Sequence, residues 1–163
     1  MDKNDSAAAF DRTPLPKCST GVNGLDEVLD GGYPQGRTTI LKGGPGSGKT
    51  LLSLQFLYKN ALEGKSGIFI SFEETVDAVR LNAATLGWDL GALEEKGLLF
   101  LHHAAIDPAV VMSGDFSLAA LLAILDGKSR EMGAKLLVID AVDILMRRFE
   151  EPTRIREELT SLH

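Results

Sequence analysis

The sequence predicts an α/β fold in which helices cover both faces of a mostly parallel sheet. Short apolar or β-branched runs alternate along the chain with segments whose apolar residues recur at helical spacing. The run at residues 98–102 is nearly all apolar, as expected for a strand covered on both faces. A glycine-rich loop at residues 43–50 stands between a predicted strand and a predicted helix, the context of a phosphate-binding P-loop.

The N-terminal part divides into an arm and the start of the domain. Residues 1–17 are polar and proline-containing, so we predict a mobile arm ahead of a domain over 18–163. Thr20 or Asn23 could cap a short helix, which a glycine pair ends before a turn at residues 33–36. The expected apolar face of this helix is Leu25, Val28 and Leu29.

The segments around the glycine-rich loop are predicted as a strand and a long helix. Residues 37–41 are short and β-branched, as a strand should be. Gly64 is in the position of a helix C-cap. The predicted inward stripe of the helix is Leu51, Leu54, Tyr58 and Leu62, widened by Leu52 and Phe56.

Further strands and helices follow in alternation. Strands are predicted at residues 67–71, 98–102 and 135–139. The helix after the first of these has Val76, Val79, Ala83 and Leu86 at helical spacing. Asp89 caps a short helix through Glu95. Ser117 caps a later helix, and a last helix begins at Pro152. The inward residues predicted for the helix after Ser117 are Leu118, Leu121, Leu122, Leu125 and Met132.

The glycine-rich loop fits the pattern G-x-x-x-x-G-K-[ST], which binds nucleotide phosphates. Glycines let backbone amides approach an anion, and the following helix adds the positive end of its dipole. Lys49 would reach the outer phosphates, and the Thr50 hydroxyl would bind Mg2+. The predicted cofactor-binding residues here are Gly43, Gly44, Pro45, Gly46, Ser47, Gly48, Lys49, Thr50 and Leu51.

Three carboxylates follow predicted strands. Asp140 ends an apolar run and has the pattern of the acidic residue that helps Thr50 hold the metal in P-loop proteins. Glu73 and Glu74 follow another strand, at the edge where open α/β sheets bind ligands. A carboxylate there can take a proton from attacking water. Equally, the two acids could be a solvated helix start, because acids favour helix N-termini.

Composition excludes several classes of protein. The 163 residues form at most one ordinary domain, and their net charge of −6 does not suit a nucleic-acid-binding surface. Cys18 is the only cysteine, so it forms no internal disulfide and fits a reducing cytosol. No apolar run approaches the ~20 residues of a membrane span, and we expect a cytoplasmic protein.

Several other polar or aromatic residues favour ordinary structural roles. His102 and His103 have no third ligand at metal spacing, so we expect partly buried or surface histidines. Trp88 favours packing over stacking on a ligand. Four arginines could form an intersubunit patch, although the pattern favours an ordinary charged helix face: Arg147, Arg148, Arg154 and Arg156.

Several motifs together resemble the KaiC-like circadian clock ATPases, a family of the RecA-like branch of P-loop proteins. The motifs, besides the P-loop, are Ser19-Thr20-Gly21-x-x-Gly24-Leu25-Asp26, Phe72-Glu73-Glu74, Gly87-Trp88-Asp89-Leu90, Phe116-Ser117-Leu118 and Val138-Ile139-Asp140. By this resemblance, Glu73 and Glu74 match a catalytic pair, and Thr85 matches a position near nucleotide. The resemblance also implies ATP between subunits of a hexameric ring, slow hydrolysis and, in some members, phosphorylation of their own Ser or Thr residues.

The resemblance also indicates a departure at the C-terminus. A family domain continues past the helix at Pro152, whereas this sequence stops at His163. The next strand would lie between the P-loop strand and the Asp140 strand, so we expect a truncated domain with two unpaired sheet edges.

Three functional hypotheses follow. The first is Mg·ATP binding with slow hydrolysis or self-phosphorylation, with Lys49 and the two glutamates as catalytic residues. The second is a nucleotide-binding or partner-binding module without turnover. The third is a RecA-like recombination or repair ATPase, which the acidic composition disfavours.

Overall fold

The computed structural model describes residues 15–104 and 118–142. The strands are β1 (Lys17–Cys18), β2 (Tyr33–Pro34), β3 (Gly67–Ser71), β4 (Leu99–His103) and β5 (Leu136–Asp140). The helices are α1 (Leu25–Val28), α2 (Lys49–Leu62), α3 (Val76–Ala84), α4 (Leu90–Glu95) and α5 (Leu118–Met132).

The central sheet is parallel and has the order β4-β3-β5. Gly67 of β3 is in register with Leu99 and with Leu136, so the three strands end together. At that carboxyl edge Ser71 lies between His103 and Asp140. This edge is where parallel sheets place their ligands.

Two apolar layers cover the sheet, one on each face. Phe69 packs on one face with residues of α2, α3 and α4, such as Leu57 and Val79. Ile70 packs on the other face with Leu121 and Leu125 of α5, together with Ile68. Alternate residues of β3 therefore serve opposite layers, and the predicted fold class of a sheet between helices is confirmed.

The N-terminal hairpin of β1 and β2 is fastened to α2. The side-chain amide of Asn60 donates to the Ser19 carbonyl oxygen at 2.9 Å, and the amide of Gln55 donates to the Gly21 carbonyl oxygen at 2.7 Å. The rings of Tyr33 and Phe56 meet edge to face, with centroids 5.4 Å apart. These contacts fix the chain immediately before the P-loop segment.

The predicted strand at residues 37–41 is wrong for the described part of the chain. Residues 38–44 have no regular secondary structure, and Ile40 is 68% exposed. A β-branched run becomes a strand only when a neighbouring strand supplies hydrogen-bond partners. Within residues 15–104 and 118–142, no strand pairs with this segment, and β5 pairs only with β3.

The predicted inward stripe of α2 is only partly right. Leu54 is buried, but Leu51 is 40% exposed and Leu62 is 58% exposed. The buried face of α2 is Leu54, Leu57, Asn60 and Ala61. The neighbours of a helix decide which of two overlapping apolar stripes faces inward, and here the Leu57 side packs on the sheet.

The predictions for α1 need correction in both cap and face. Val28 is 82% exposed, so it is not part of an inward face. Neither predicted residue caps the helix: its N-cap is Gly24, which makes no side-chain cap hydrogen bond. The Thr20 hydroxyl instead donates to Asp26 within the helix, at 2.6 Å.

Most other predicted elements agree with the structure. The strand at residues 67–71 is confirmed, and the two later strands each lie one residue further along. Asp89 caps α4 by accepting from the Ala92 amide at 2.9 Å. In α3, Val79 and Ala83 are buried, but Leu86 lies beyond the helix and is 47% exposed.

Some predictions fall outside the described residues. They are the arm at residues 1–14, the Ser117 cap, the helix from Pro152 and the four arginines. Lys17, which we placed at the end of the arm, pairs with Pro34 in the hairpin. Across residues 15–104 and 118–142, no helix combines the length and apolarity needed to cross a bilayer.

Candidate functional site

The glycine-rich loop turns sharply into α2. Gly46 and Gly48 have φ angles of 72° and 83°, a region that residues with a Cβ rarely adopt. A Cβ on Gly43 would collide with the Ser47 hydroxyl. Helix α2 begins directly after Gly48, at Lys49. The backbone amides of the first helical turn, which have no partner within the helix itself, are therefore located at the loop, as an anion site requires.

The Lys49 side chain folds back onto the glycine-rich loop. Its ammonium donates to the carbonyl oxygens of Gly43 and Gly44, both at 3.0 Å. These two hydrogen bonds hold the ammonium against the loop. A bound phosphate would compete with them for the same cation, because a charged acceptor makes the stronger hydrogen bond.

The P-loop helix contacts the sheet edge through one short hydrogen bond. The Thr50 hydroxyl donates to a carboxylate oxygen of Asp140 at 2.6 Å. Asp140 is the last residue of β5, and its carbonyl oxygen accepts from the Phe72 amide at 2.8 Å, so its backbone is fixed. The two residues predicted to hold Mg2+ therefore lie together, although ninety positions separate them in sequence.

This pair suits a magnesium ion. A hydroxyl and a carboxylate are hard oxygen ligands, and Mg2+ is usually held by one or two protein oxygens, the substrate phosphates and water. Among the described residues, no three His, Cys, Asp or Glu side chains cluster as metal ligands. The donor set thus fits a metal shared with a nucleotide better than a metal held by protein alone.

The two adjacent glutamates have different surroundings. Glu73 is exposed and, among the described residues, its carboxylate has no hydrogen bond or ion pair. Glu74 is partly buried, its amide donates to the Ser71 hydroxyl at 2.9 Å, and its carboxylate accepts from the Asn82 amide at 2.8 Å. Both follow β3 at the carboxyl edge, as predicted, but only Glu74 is held by neighbours.

A cavity of about 210 Å³ opens between α2 and α3 beside the start of α2. It is lined by Thr50, Leu51, Leu54, Glu74, Val79, Asn82, Thr85 and Leu86. The lining combines apolar side chains with a few polar groups, as small-molecule sites do. Four predicted site residues therefore share one cavity: Thr50, Leu51, Glu74 and Thr85. Glu73 does not line it.

The histidines and the tryptophan have structural surroundings. His102 stacks on Phe100 at 6.1 Å between ring centroids, and both histidines are partly buried. Trp88 stacks on Tyr58 at 5.5 Å and packs against the core. These positions confirm the ordinary roles predicted for them.

Asn82 and the role of Asp26 were not apparent from the sequence. Glu74 precedes helix α3 and Asn82 lies within it, so no helical spacing rule links the two. Asp26 accepts from the Ser19 hydroxyl at 2.6 Å and from the Thr20 amide at 2.7 Å. Acceptance from Ser19 and Thr20 lowers the pKa of the Asp26 carboxyl. The segments Ser19-Thr20-Gly21 and Leu25-Asp26 were visible in the sequence, but the contact between them was not.

Cys18 is a structural thiol. It is 7% exposed and donates to the Asn60 side-chain oxygen at 3.1 Å. Burial raises the pKa of its thiol, which disfavours the reactive thiolate. These surroundings are those of an inert thiol.

Comparisons with known proteins agree with this geometry. The family model for the KaiC ATPase matches residues 18–163. A circadian clock oscillator protein KaiC from Parathermosynechococcus lividus is 39% identical over 91% of this chain and 28% of its own length. Circadian clock protein KaiC2 from Synechocystis sp. is 36% identical over 91% of this chain and 26% of its own length. The chain therefore spans about a quarter of the length of these two relatives.

A solved structure shares the fold. The crystal structure of a KaiC-like protein from Pyrococcus horikoshii OT3 superposes with a TM-score of 0.75 and 34% identity, covering 91% of this chain and 64% of that one. The family match over residues 18–163 includes the P-loop, the parallel sheet and the carboxyl edge described above. The chain belongs to the KaiC ATPase family and has its RecA-like α/β P-loop fold.

Proposed function

We propose that this chain binds Mg·ATP on residues 43–50 and hydrolyses it slowly. The observation that carries the proposal is the 2.6 Å hydrogen bond from Thr50 to Asp140. It brings the first turn of the P-loop helix against the carboxyl edge of the sheet. A loop that exposes its amides and a hydroxyl–carboxylate pair beside it are the two parts that a nucleotide triphosphate with Mg2+ needs.

The loop and helix residues would bind the triphosphate. Amides of the loop would donate to phosphate oxygens, and Lys49 would leave the Gly43 and Gly44 carbonyls for the outer phosphates. Thr50 and Asp140 would hold Mg2+, which, when bound, neutralises negative charge on the phosphates. Thr85 and Leu51 would border the nucleoside end, because they line the cavity beside the helix.

The two glutamates would act at the attacked phosphate. Glu73 would orient or deprotonate the attacking water, and Glu74 would support it. The exposed, unpaired carboxylate of Glu73 is able to accept a proton from water without first breaking a contact within the described residues.

Calorimetric titration with Mg·ATP and a phosphate-release assay test this proposal. We expect binding that weakens when Mg2+ is removed, and slow release of phosphate. Glu73→Gln should bind Mg·ATP normally and hydrolyse it about 10²–10⁴ times more slowly. Glu95→Gln is the matched control, because Glu95 is exposed on α4 away from the cavity. A folded chain that gives no heat with Mg·ATP would refute the proposal.

A second candidate is nucleotide binding without turnover. It is favoured by the position of Glu73, which is exposed and does not line the cavity. Saturable Mg·ATP binding with no phosphate release above the Glu73→Gln background would select this alternative. DNA-dependent hydrolysis has no such support, and the net charge of −6 disfavours it.

Assembly, phosphorylation and a clock role belong to the same proposal at a finer level. We expect a hexameric ring in the cytoplasm, with Mg·ATP promoting assembly. The named relatives are circadian clock proteins, which supports a signalling role. Light scattering with and without Mg·ATP measures the assembly. Mass spectrometry after incubation with ATP measures phosphate on Ser or Thr.

A further inference from the structure

Glu74 is held at both its backbone and its side chain. Its amide donates to the hydroxyl of Ser71, which is 2% exposed at the end of β3. Its carboxylate accepts from the Asn82 side-chain amide at 2.8 Å. Among the described residues, the Glu73 carboxylate has no hydrogen bond or ion pair. Of these two adjacent carboxylates, only that of Glu74 is therefore held by a hydrogen bond within the described residues.

Asn82 has an exposed side chain, but its backbone is well anchored. It is followed by Ala83, which is completely buried against the core and anchors the last turn of α3. The Thr85 hydroxyl donates to the Asn82 carbonyl oxygen at 2.6 Å, which closes that turn. A donor with a fixed backbone selects one direction for the carboxylate that it contacts.

The contact is solvent-exposed and borders the open cavity. Both Asn82 and Glu74 line the same cavity as Thr50, whose hydroxyl donates to Asp140. A hydrogen bond to a charged acceptor is about twice as strong as one between neutral groups. It can therefore keep the Glu74 carboxylate in the cavity, where a free side chain would move among several rotamers.

We infer that Asn82 is a positioning residue that fixes the Glu74 carboxylate at the nucleotide cavity, while Glu73 stays free for water. The inference rests on the proposed function, because Glu74 needs a fixed position only if a nucleotide reacts beside it. Asn82 acts through Glu74 and has no catalytic role of its own. Placement of this kind affects the reaction step more than the binding step.

The first test separates turnover from binding. Asn82→Leu keeps the approximate shape of the side chain and removes the donor. We expect kcat for Mg·ATP hydrolysis to fall about threefold to tenfold, with the Kd for Mg·ATP within about twofold of wild type. Leu81→Ala is the control, because Leu81 is 69% exposed on the same helix and does not line the cavity. It should leave both values unchanged.

A double-mutant cycle separates positioning from a general effect on α3. In a Glu74→Gln background, Asn82→Leu should change kcat by less than about twofold, since the group that Asn82 positions is already lost. Two independent effects that multiply would overturn the inference. So would a wild-type kcat in Asn82→Leu. Absence of turnover in the wild-type chain would instead refute the proposed function on which the inference rests.

A spectroscopic measurement tests the contact without turnover. The NMR signals of the Asn82 side-chain amide should shift in Glu74→Gln and stay in place in Glu73→Gln, because only Glu74 accepts from that amide. Equal responses to the two changes, or no response to either, would contradict the inference even if ATP is hydrolysed.

Discussion

The central sheet and the P-loop segment, residues 37–48, are held in different ways. All five residues of β3 are buried, and both its edges carry a parallel strand. In residues 37–48 only Leu41 is partly buried, and the rest are exposed. The segment is fixed at its ends, by the hairpin on α2 and by α2 itself.

The buried packing of the fold and the exposed glycine-rich loop therefore lie in different parts of the molecule. Packing around β3 places Asp140, Ser71 and Glu74 at one edge. The loop contributes glycines, amides and a lysine but little buried surface. Substitutions in the sheet should therefore lower stability, and substitutions in the loop should lower affinity without lowering stability.

The largest effect is expected from Phe69→Ala. Phe69 is 1% exposed in the layer under α2, α3 and α4. Removal of the ring should lower the free energy of unfolding by about 3–5 kcal/mol, because a cavity remains. Urea denaturation followed by circular dichroism measures this change. A loss below about 1 kcal/mol would mean that the sheet is not the stable part of the molecule.

Lys49→Ala should show the opposite pattern. Among the described residues, the ammonium donates only to loop carbonyls, so its removal should leave the melting temperature within about 2 °C of wild type. Mg·ATP affinity should fall about 10- to 100-fold with the loss of a charged donor. Lys96→Ala is the control, because it removes an equal charge from the end of α4. Unchanged affinity in Lys49→Ala would contradict the assignment of the loop.

Asp26→Asn tests the hydrogen bonds that Asp26 accepts from Ser19 and Thr20, before the glycine-rich loop. Since Ser19 and Thr20 lower the folded pKa of Asp26, the carboxylate stabilises the protein above its ordinary, unfolded pKa of 3.8. That contribution is lost as the pH falls through the lower folded value. At pH 7 the substitution should cost about 1–2 kcal/mol in the free energy of unfolding.

The pH dependence supplies the check on this prediction. Urea denaturation of wild type and Asp26→Asn should give curves that converge as the pH falls below about 4. A difference that stays constant from neutral to acid pH would show that the charge of Asp26 is not the stabilising feature.

The smallest effect is expected from Ile40→Thr. Ile40 is 68% exposed, so the substitution should change the free energy of unfolding by less than about 0.5 kcal/mol. The backbone amides of Ile40 and Leu41 should exchange hydrogen much faster than those of β3, because no strand pairs with them within the described residues. Mass spectrometry of exchanged peptides measures this. Equal protection of the two segments would remove the contrast between loop and sheet.

Local sequence predicted the elements whose causes are local. The alternation of strands and helices, the Asp89 cap and the turn at the glycine-rich loop each depend on a few neighbouring residues. The strand at residues 37–41 failed because a strand needs a partner that the segment does not itself contain. The predicted inward face of α2 was wrong at Leu51 and Leu62. Two sets of apolar residues had helical spacing, and packing on the sheet buried only one of them.

By itself, the sequence determined a phosphate-binding loop between a short run and a helix, an α/β order of elements and the carboxylates that follow strands. Glycine content, charge and spacing act over a few residues, so they can be recognised without a structure. Only the tertiary structure decided that Thr50 contacts Asp140, that Asn82 holds Glu74, and that Asp26 accepts from Ser19 and Thr20. The first two contacts join separate segments of the chain, and packing against the shared sheet sets their distances.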